Sequence, residues 1–270
     1  MSAYEPTHEY ETVTVLRRDN AARVELNRPQ TMNAWDKQFG HDLLAAVRAV
    51  ADDPDVRAVE IGGAGRGFSS GADLKAGFDP RPDGHPDVQT VLRERYHPII
   101  LAIRRMEKPV VAAVNGAAVG IGCSLALACD LIVAARSAYF LLAFVNIGLV
   151  PDGGSSVFVP ARIGFTRAIE MAMLGERVDA EQALAWGLIN RVVDDDRLEG
   201  EVATLMERLA AGPTRSYAGA KRQLNARVFA GIEAQLELEA EIQQQQAATT
   251  DFVEGVVAFA EKRPAVFEGR

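Results

Sequence analysis

A chain of 270 residues with 48% hydrophobic and 24% charged residues holds enough apolar mass for one large domain or two small ones. Its formal net charge of -8 and pI near 5.2 argue against a nucleic-acid partner, because affinity for a phosphate backbone comes from clustered Lys and Arg. Cys123 and Cys129 stand in an apolar run without a CxxC pair or a Cys/His cluster, which argues against a metal site and reads as buried thiols in a reducing compartment. The amino terminus shows no basic segment followed by an apolar one, and the most apolar run, 116–129, spans 14 residues, too short for a bilayer. The expectation is a soluble cytoplasmic protein with no membrane contact.

In chain order, residues 12–16 and 22–26 cluster β-branched and apolar side chains around Asp19-Asn20, a hairpin signal. Over 36–50, Phe39, Leu43, Val47 and Val50 recur at spacings of three and four, the pattern of one helix face. Residues 57–61 read as a buried strand. The succession continues with a helix at 99–106 before a strand at 110–114, and a helix at 122–128 before a strand at 131–134, which predicts parallel strands joined by crossovers. Between them FDPRPDGHPD, 78–87, with three prolines and little to bury, reads as a mobile surface loop. Past about residue 160 strand signals fade except at 188–193, and helical periodicity takes over, as in 199–211, where Val202, Leu205, Met206 and Leu209 share a face. The expected organisation is an α/β core over 1–195 carrying the site and a helical region over 196–270.

Two Gly-rich segments follow strands, GGAGRGFSSGADLK at 62–75 and NGAAVGIGCSLALACD at 115–130. Neither has the spacing of a dinucleotide fingerprint or a phosphate loop. Both read as a strand that ends in small residues and opens a helix, leaving amide N–H groups free and letting a ligand approach the backbone. Taken singly, the glycines are better explained by tight turns and close helix packing.

Together, LNRPQTMNAWD, GFSSGADL and VNGAAVGIGCSLALACDLIVAA, in this order, resemble the signature segments of the crotonase (enoyl-CoA hydratase/isomerase) superfamily, and EGVVAFAEKRPAVFEGR resembles its C-terminal helix. The resemblance implies an α/β fold of repeated βαβ turns with a helical trimerisation region, a homotrimer or dimer of trimers, and a coenzyme A thioester as substrate with no separate cofactor. It places an oxyanion hole on the backbone N–H groups of Ala72 and Ile121, with Ser70, Gly71, Asp73, Leu74, Lys75 and Gly120 around the thioester. Many family members carry Gly where Ile121 stands, so its branched side chain must point away from the thioester or reshape the pocket.

The same resemblance puts Ser124 and Phe144 where family hydratases hold their two glutamates, which disfavours paired-glutamate hydration. Asp152 in VPDGG stands where some isomerases, and also dehalogenases, carry a catalytic aspartate. From the local sequence alone Asp152 serves equally as the cap of a following helix. Beside apolar Phe144, its raised pKa would suit proton relocation. The wording AFVNIGLVPDGGSS is most similar to the phenylacetate-degradation branch, whose members isomerise ring-epoxidised phenylacetyl-CoA and shift double bonds in enoyl-CoA chains. Phe259 and Lys262 match positions that meet the adenine and phosphates of coenzyme A, with an ordinary amphipathic helix as the alternative, and Arg28 either approaches those phosphates or caps its loop. Asp73 also reads as a helix N-cap, and Lys75 as a solvated side chain near coenzyme A. The expected activity is acyl-CoA isomerisation. A single-carboxylate hydratase and a non-catalytic acyl-CoA-binding paralogue are the rivals.

Overall fold

The computed structural model describes residues 4–270. The first half of the chain forms β1 (Glu5–Glu9), β2 (Val13–Arg18), β3 (Ala21–Leu26), α1 (Lys37–Asp52), β4 (Ala58–Gly63), α2 (Val88–Val91), α3 (His97–Arg105), β5 (Val110–Val114), β6 (Ala117–Val119) and α4 (Ile121–Ala128). The second half forms β7 (Leu131–Ala135), β8 (Tyr139–Leu141), α5 (Ser155–Leu174), β9 (Val178–Asp179), α6 (Ala180–Trp186), β10 (Arg191–Val193), α7 (Leu198–Ala211), α8 (Thr214–Val228), α9 (Ile232–Ala247) and α10 (Thr250–Glu261). None of the helices is long and apolar enough to cross a membrane.

Seven strands make the main sheet in the order β1-β2-β3-β4-β5-β7-β10, and β6, β8 and β9 make a small second one. The expected hairpin forms: Val13 pairs with Leu26 and Arg18 with Ala21, and the turn is closed by Asp19 at φ 52°. From β3 onward every pairing in the main sheet is parallel. β4 and β5 are buried at every residue, as parallel strands covered on both faces must be, and their sequences are apolar or small except at Glu60, whose buried carboxylate is paired with Arg23. α1 starts where its Asp36 carboxylate accepts the Phe39 amide at 2.8 Å, and it buries Phe39, Leu43, Val47 and Val50, the face read from the periodicity. Cys123 and Cys129 are fully buried free thiols, and burial pushes both up to about 12.

Several expectations are corrected. β1 had no signal because EPTHE is exposed at every residue and is held only by pairing with β2. Within 188–193 only the last three residues pair as a strand. The first Gly-rich segment does not open a helix; after β4 it runs through turns and isolated bridges until α2. The 78–87 segment is a surface loop as expected, and it carries internal hydrogen bonds, with the Asp87 amide donating to the Asp79 carbonyl at 2.9 Å and the Arg81 amide to the His85 carbonyl at 2.8 Å. The C-terminal string is helical only to Glu261; beyond it the chain doubles back, and the Asp251 carboxylate accepts the amides of Glu268 and Gly269 at 2.7 and 2.8 Å.

Candidate active site

The two Gly-rich segments are brought together by backbone pairing. The Ser69 amide donates to Ala117 at 2.8 Å and the Val119 amide to Ser69 at 2.9 Å, so the chain after β4 runs parallel to β6. Two residues further on, Trp35 donates to the Gly71 carbonyl at 2.8 Å and Asp73 to the Trp35 carbonyl at 2.9 Å, which holds Ala72 between two fixed neighbours. The contact is close because Gly71 has no side chain: at its φ of 90°, a Cβ would stand 2.9 Å from the Val119 carbonyl oxygen. Ile121 is the first residue of α4, where amides lack an intrahelical acceptor. Among the described residues neither the Ala72 nor the Ile121 amide donates to a protein acceptor. Both residues line a cavity of about 620 Å³, as do Ser70, Gly71, Leu74, Gly120 and Phe144. The arrangement offers two amide donors to an oxygen that gains charge.

The Ile121 side chain finds its room beside Gly153, whose missing Cβ would collide with Ile121 Cδ1. Gly153 and Gly154 both take positive φ, 61° and 83°, and this sharp turn folds the VPDGG segment back against α4. There Asp152 is buried, 4% exposed, and lines the cavity. Its main-chain carbonyl accepts from Ser124 Oγ at 2.7 Å, Ser155 Oγ at 2.8 Å and the Ser155 amide at 3.1 Å. Its side chain does not cap α5, which begins after Gly154 without a side-chain cap. Instead Asp152 Oδ2 accepts from Gln243 Nε2 at 2.8 Å, while Oδ1 is buried without a partner. Burial first, and then the nearby Glu239 charge, push this carboxyl up to about 8 against the opposing pull of the Gln243 hydrogen bond.

Not every expected site residue reaches the cavity. Ser124 is fully buried and spent on the Asp152 carbonyl, so it orders the turn and does not line the pocket. Arg28 is turned inward: its guanidinium pairs with Asp36 at 2.9 Å and Asp73 at 3.3 Å, tying the 27–36 segment to GADL. Asp73 thus serves that pair, and its Oδ1 also accepts the Lys75 amide at 3.2 Å across a turn rather than a helix start. Lys75 is exposed and outside the lining, and Lys262 ends α10 in a left-handed conformation, also outside it. Phe259 does line the cavity, with 62% of its surface exposed at the rim.

Other contributors gave no motif in the sequence. Gln243 and Glu239 lie one turn apart on α9, and Glu239 accepts the Gly154 amide at 2.8 Å and the Ser156 amide and hydroxyl. Glu239 is itself buried, and burial raises it to about 7. The only available signal was the polar recurrence Gln235, Glu239, Gln243 at i, i+4, i+8, which is indistinguishable from a solvated helix face. Tyr96, packed edge-on against Trp35 at 5.2 Å, and Arg177, stacked over Tyr139 at 4.4 Å, also line the cavity. The cavity therefore draws on both the α/β core and the helices after residue 196.

Residues 17–270 match the family model of enoyl-CoA hydratase/isomerase. The chain is 41% identical over 261 residues to a probable enoyl-CoA hydratase of Rhodobacter capsulatus, covering 97% of this chain and 99% of that one. It is 37% identical over 246 residues to the 1,2-epoxyphenylacetyl-CoA isomerase of Escherichia coli, covering 91% and 94%. The crystal structure of an enoyl-CoA hydratase from Mycobacterium avium subsp. paratuberculosis superposes with a TM-score of 0.88 at 38% identity, covering 96% of this chain and 100% of that one. The fold is the crotonase fold, and the chain belongs to the enoyl-CoA hydratase/isomerase family.

Proposed function

We propose that this protein is an acyl-CoA isomerase in which the Ala72 and Ile121 amides hold the thioester oxygen while Asp152 takes a proton from one carbon and returns it to another. The observation that carries this reading is Asp152, the single carboxylate on the cavity wall among the described residues, with one oxygen held by Gln243 and the other without a partner among them. A base of this kind works when its pKa lies near the operating pH, since it must both accept and release the proton, and a value of about 8 meets that requirement. Each amide aimed at the enolate oxygen contributes about 3 to 4 kcal/mol to the barrier reduction. Water addition by two carboxylates finds no second acid on the wall: Ser124 is turned to the main chain and Phe144 is apolar.

The substrate class in this reading is an enoyl- or phenylacetyl-type coenzyme A ester. The predominantly apolar lining, with Leu74, Phe78, Leu92, Phe144 and Leu149, and the similarity to the E. coli isomerase support it. The coenzyme A ester is the substrate and no further cofactor takes part. Self-association into a trimer or a dimer of trimers belongs to the same reading and is supported by large apolar side chains left exposed, among them Phe165, Met173 and Leu174 on α5.

The test is Asp152→Asn assayed with enoyl-CoA esters. The variant is expected to bind acyl-CoA as the parent does and to lose double-bond migration by at least about a hundredfold. Unchanged turnover would remove Asp152 from the chemistry. A product heavier by one water would replace isomerisation with hydration.

A further inference from the structure

The geometry assigns to Gln243 the role of a positioning residue that makes Oδ1 of Asp152 the sole proton carrier and tunes when that oxygen is free to act; this rests on the isomerase reading above. The Gln243 amide cannot turn over freely, because its Oε1 accepts the Val150 amide at 3.1 Å, two residues before Asp152. Its Nε2 is thereby aimed at Asp152 Oδ2, at 2.8 Å. Protonating an oxygen that already accepts an N–H makes it a poorer acceptor and weakens that hydrogen bond, whereas protonating the other oxygen leaves the bond intact, so protonation at Oδ2 is disfavoured. Oδ1, buried and unpartnered on the cavity side chain, is what remains. In the forward half-reaction Oδ1 gains the proton from carbon, the C–H electron pair becomes part of the enolate, and the charge rests on the thioester oxygen at the two amides. In the second half the same Oδ1 returns the proton to a different carbon and the carbonyl re-forms, so nothing is consumed.

The placement is reinforced from the same helix. One turn before Gln243, Glu239 clamps the Gly154 amide and both the amide and hydroxyl of Ser156, so α9 grips the chain on either side of Asp152. The ionisable groups that bear on Asp152 are Glu239 from α9 and Tyr96 from the cavity lining, with Arg177 and Arg263 the basic side chains lining the same cavity. A hydrogen bond to the ionised form favours that form, so Gln243 holds the Asp152 titration lower than burial alone would.

The experiment is a pH–rate profile of isomerisation for the parent, Gln243→Leu and Gln243→Glu, with KM for the same enoyl-CoA ester. Gln243→Leu removes the donor, and its acidic limb is expected to move up by about one pH unit, with kcat reduced about tenfold or more at pH 8 and KM within about twofold. Gln243→Glu keeps the shape and the acceptor for Val150 but sets a second carboxyl against Oδ2, so its limb is expected to move up further as the two share a proton. If Gln243→Leu fails to fold by circular dichroism, Gln243→Glu decides. A limb that stays at the parent position in the folded variants overturns the assignment, even if kcat falls, since a merely structural role lowers activity without moving the titration. Asp152→Asn run alongside separates the two claims: an active Asp152→Asn removes the isomerase reading itself, whereas an inactive one with unmoved Gln243 limbs removes only the role of Gln243.

Discussion

Asp152 illustrates how a single residue carries opposing demands of stability and chemistry. A carboxyl whose folded-state pKa lies above its unfolded value binds its proton more readily in the native state. Between the ordinary value of 3.8 and about 8, therefore, the native state holds more protons than the unfolded chain, and stability falls as pH rises. The slope from this one group reaches about 1.4 kcal/mol per pH unit at most. Asp152→Asn abolishes the titration while leaving Gln243 an acceptor, so its Tm is expected to exceed that of the parent by several degrees at pH 8 and by little at pH 4, measured by calorimetry. An equal gain at both values would mean that Asp152 is not held largely protonated by burial. The residue was legible through the resemblance to the crotonase superfamily, since the local sequence alone suited a helix cap equally well. Its hydrogen-bond partner was not, since Gln243 lies 91 positions away and nothing in a polar helix face says which glutamine turns inward.

Among the elements, the two Gly-rich segments do most to build the site, and they do so by different means. α4 supplies its Ile121 amide through a helix start, while the GADL segment supplies its Ala72 amide through isolated bridges to Trp35 and Ala118 partners that no local pattern reveals. This is why the second segment was readable as strand and helix and the first was misread as opening a helix. It also explains why β6, β8 and β9, two or three residues each, escaped notice: strands so short have no alternation to detect, and they exist because they pair. The consequence can be tested at Gly71, which lets the segments touch. Gly71→Ala puts a methyl 2.9 Å from the Val119 carbonyl in a backbone conformation that L-residues avoid. It is expected to cost about 1 to 3 kcal/mol of stability and to lower kcat more than tenfold by parting the two amides, with acyl-CoA affinity less affected. A variant with parental kcat would place the oxyanion donors elsewhere.

At the level of the whole molecule, the helical C-terminal region was visible in the change of periodicity, and the parallel order of β3, β4, β5 and β7 followed from alternating strands and helices. What the linear reading could not supply was the closure of the site by the last third of the chain. α9 brings Gln243, and α10 with the returning tail brings Ala258, Phe259, Pro264 and Phe267 to the cavity wall. The exposed apolar side chains on α5 bear on assembly: light scattering is expected to give three or six times the 29.1 kDa chain mass, and a monodisperse single-chain mass would contradict that. All of these features converge on one claim, that an enolate forms between the Ala72 and Ile121 amides and that Asp152 moves the proton. The most direct measurement is mass spectrometry of straight-chain and aromatic enoyl-CoA esters incubated in deuterated water. The expected result is exchange of carbon-bound hydrogen for deuterium with the parent protein and none above background with Asp152→Asn. Exchange at the parental rate in Asp152→Asn, or products that have gained water without carbon-bound exchange, would contradict the claim.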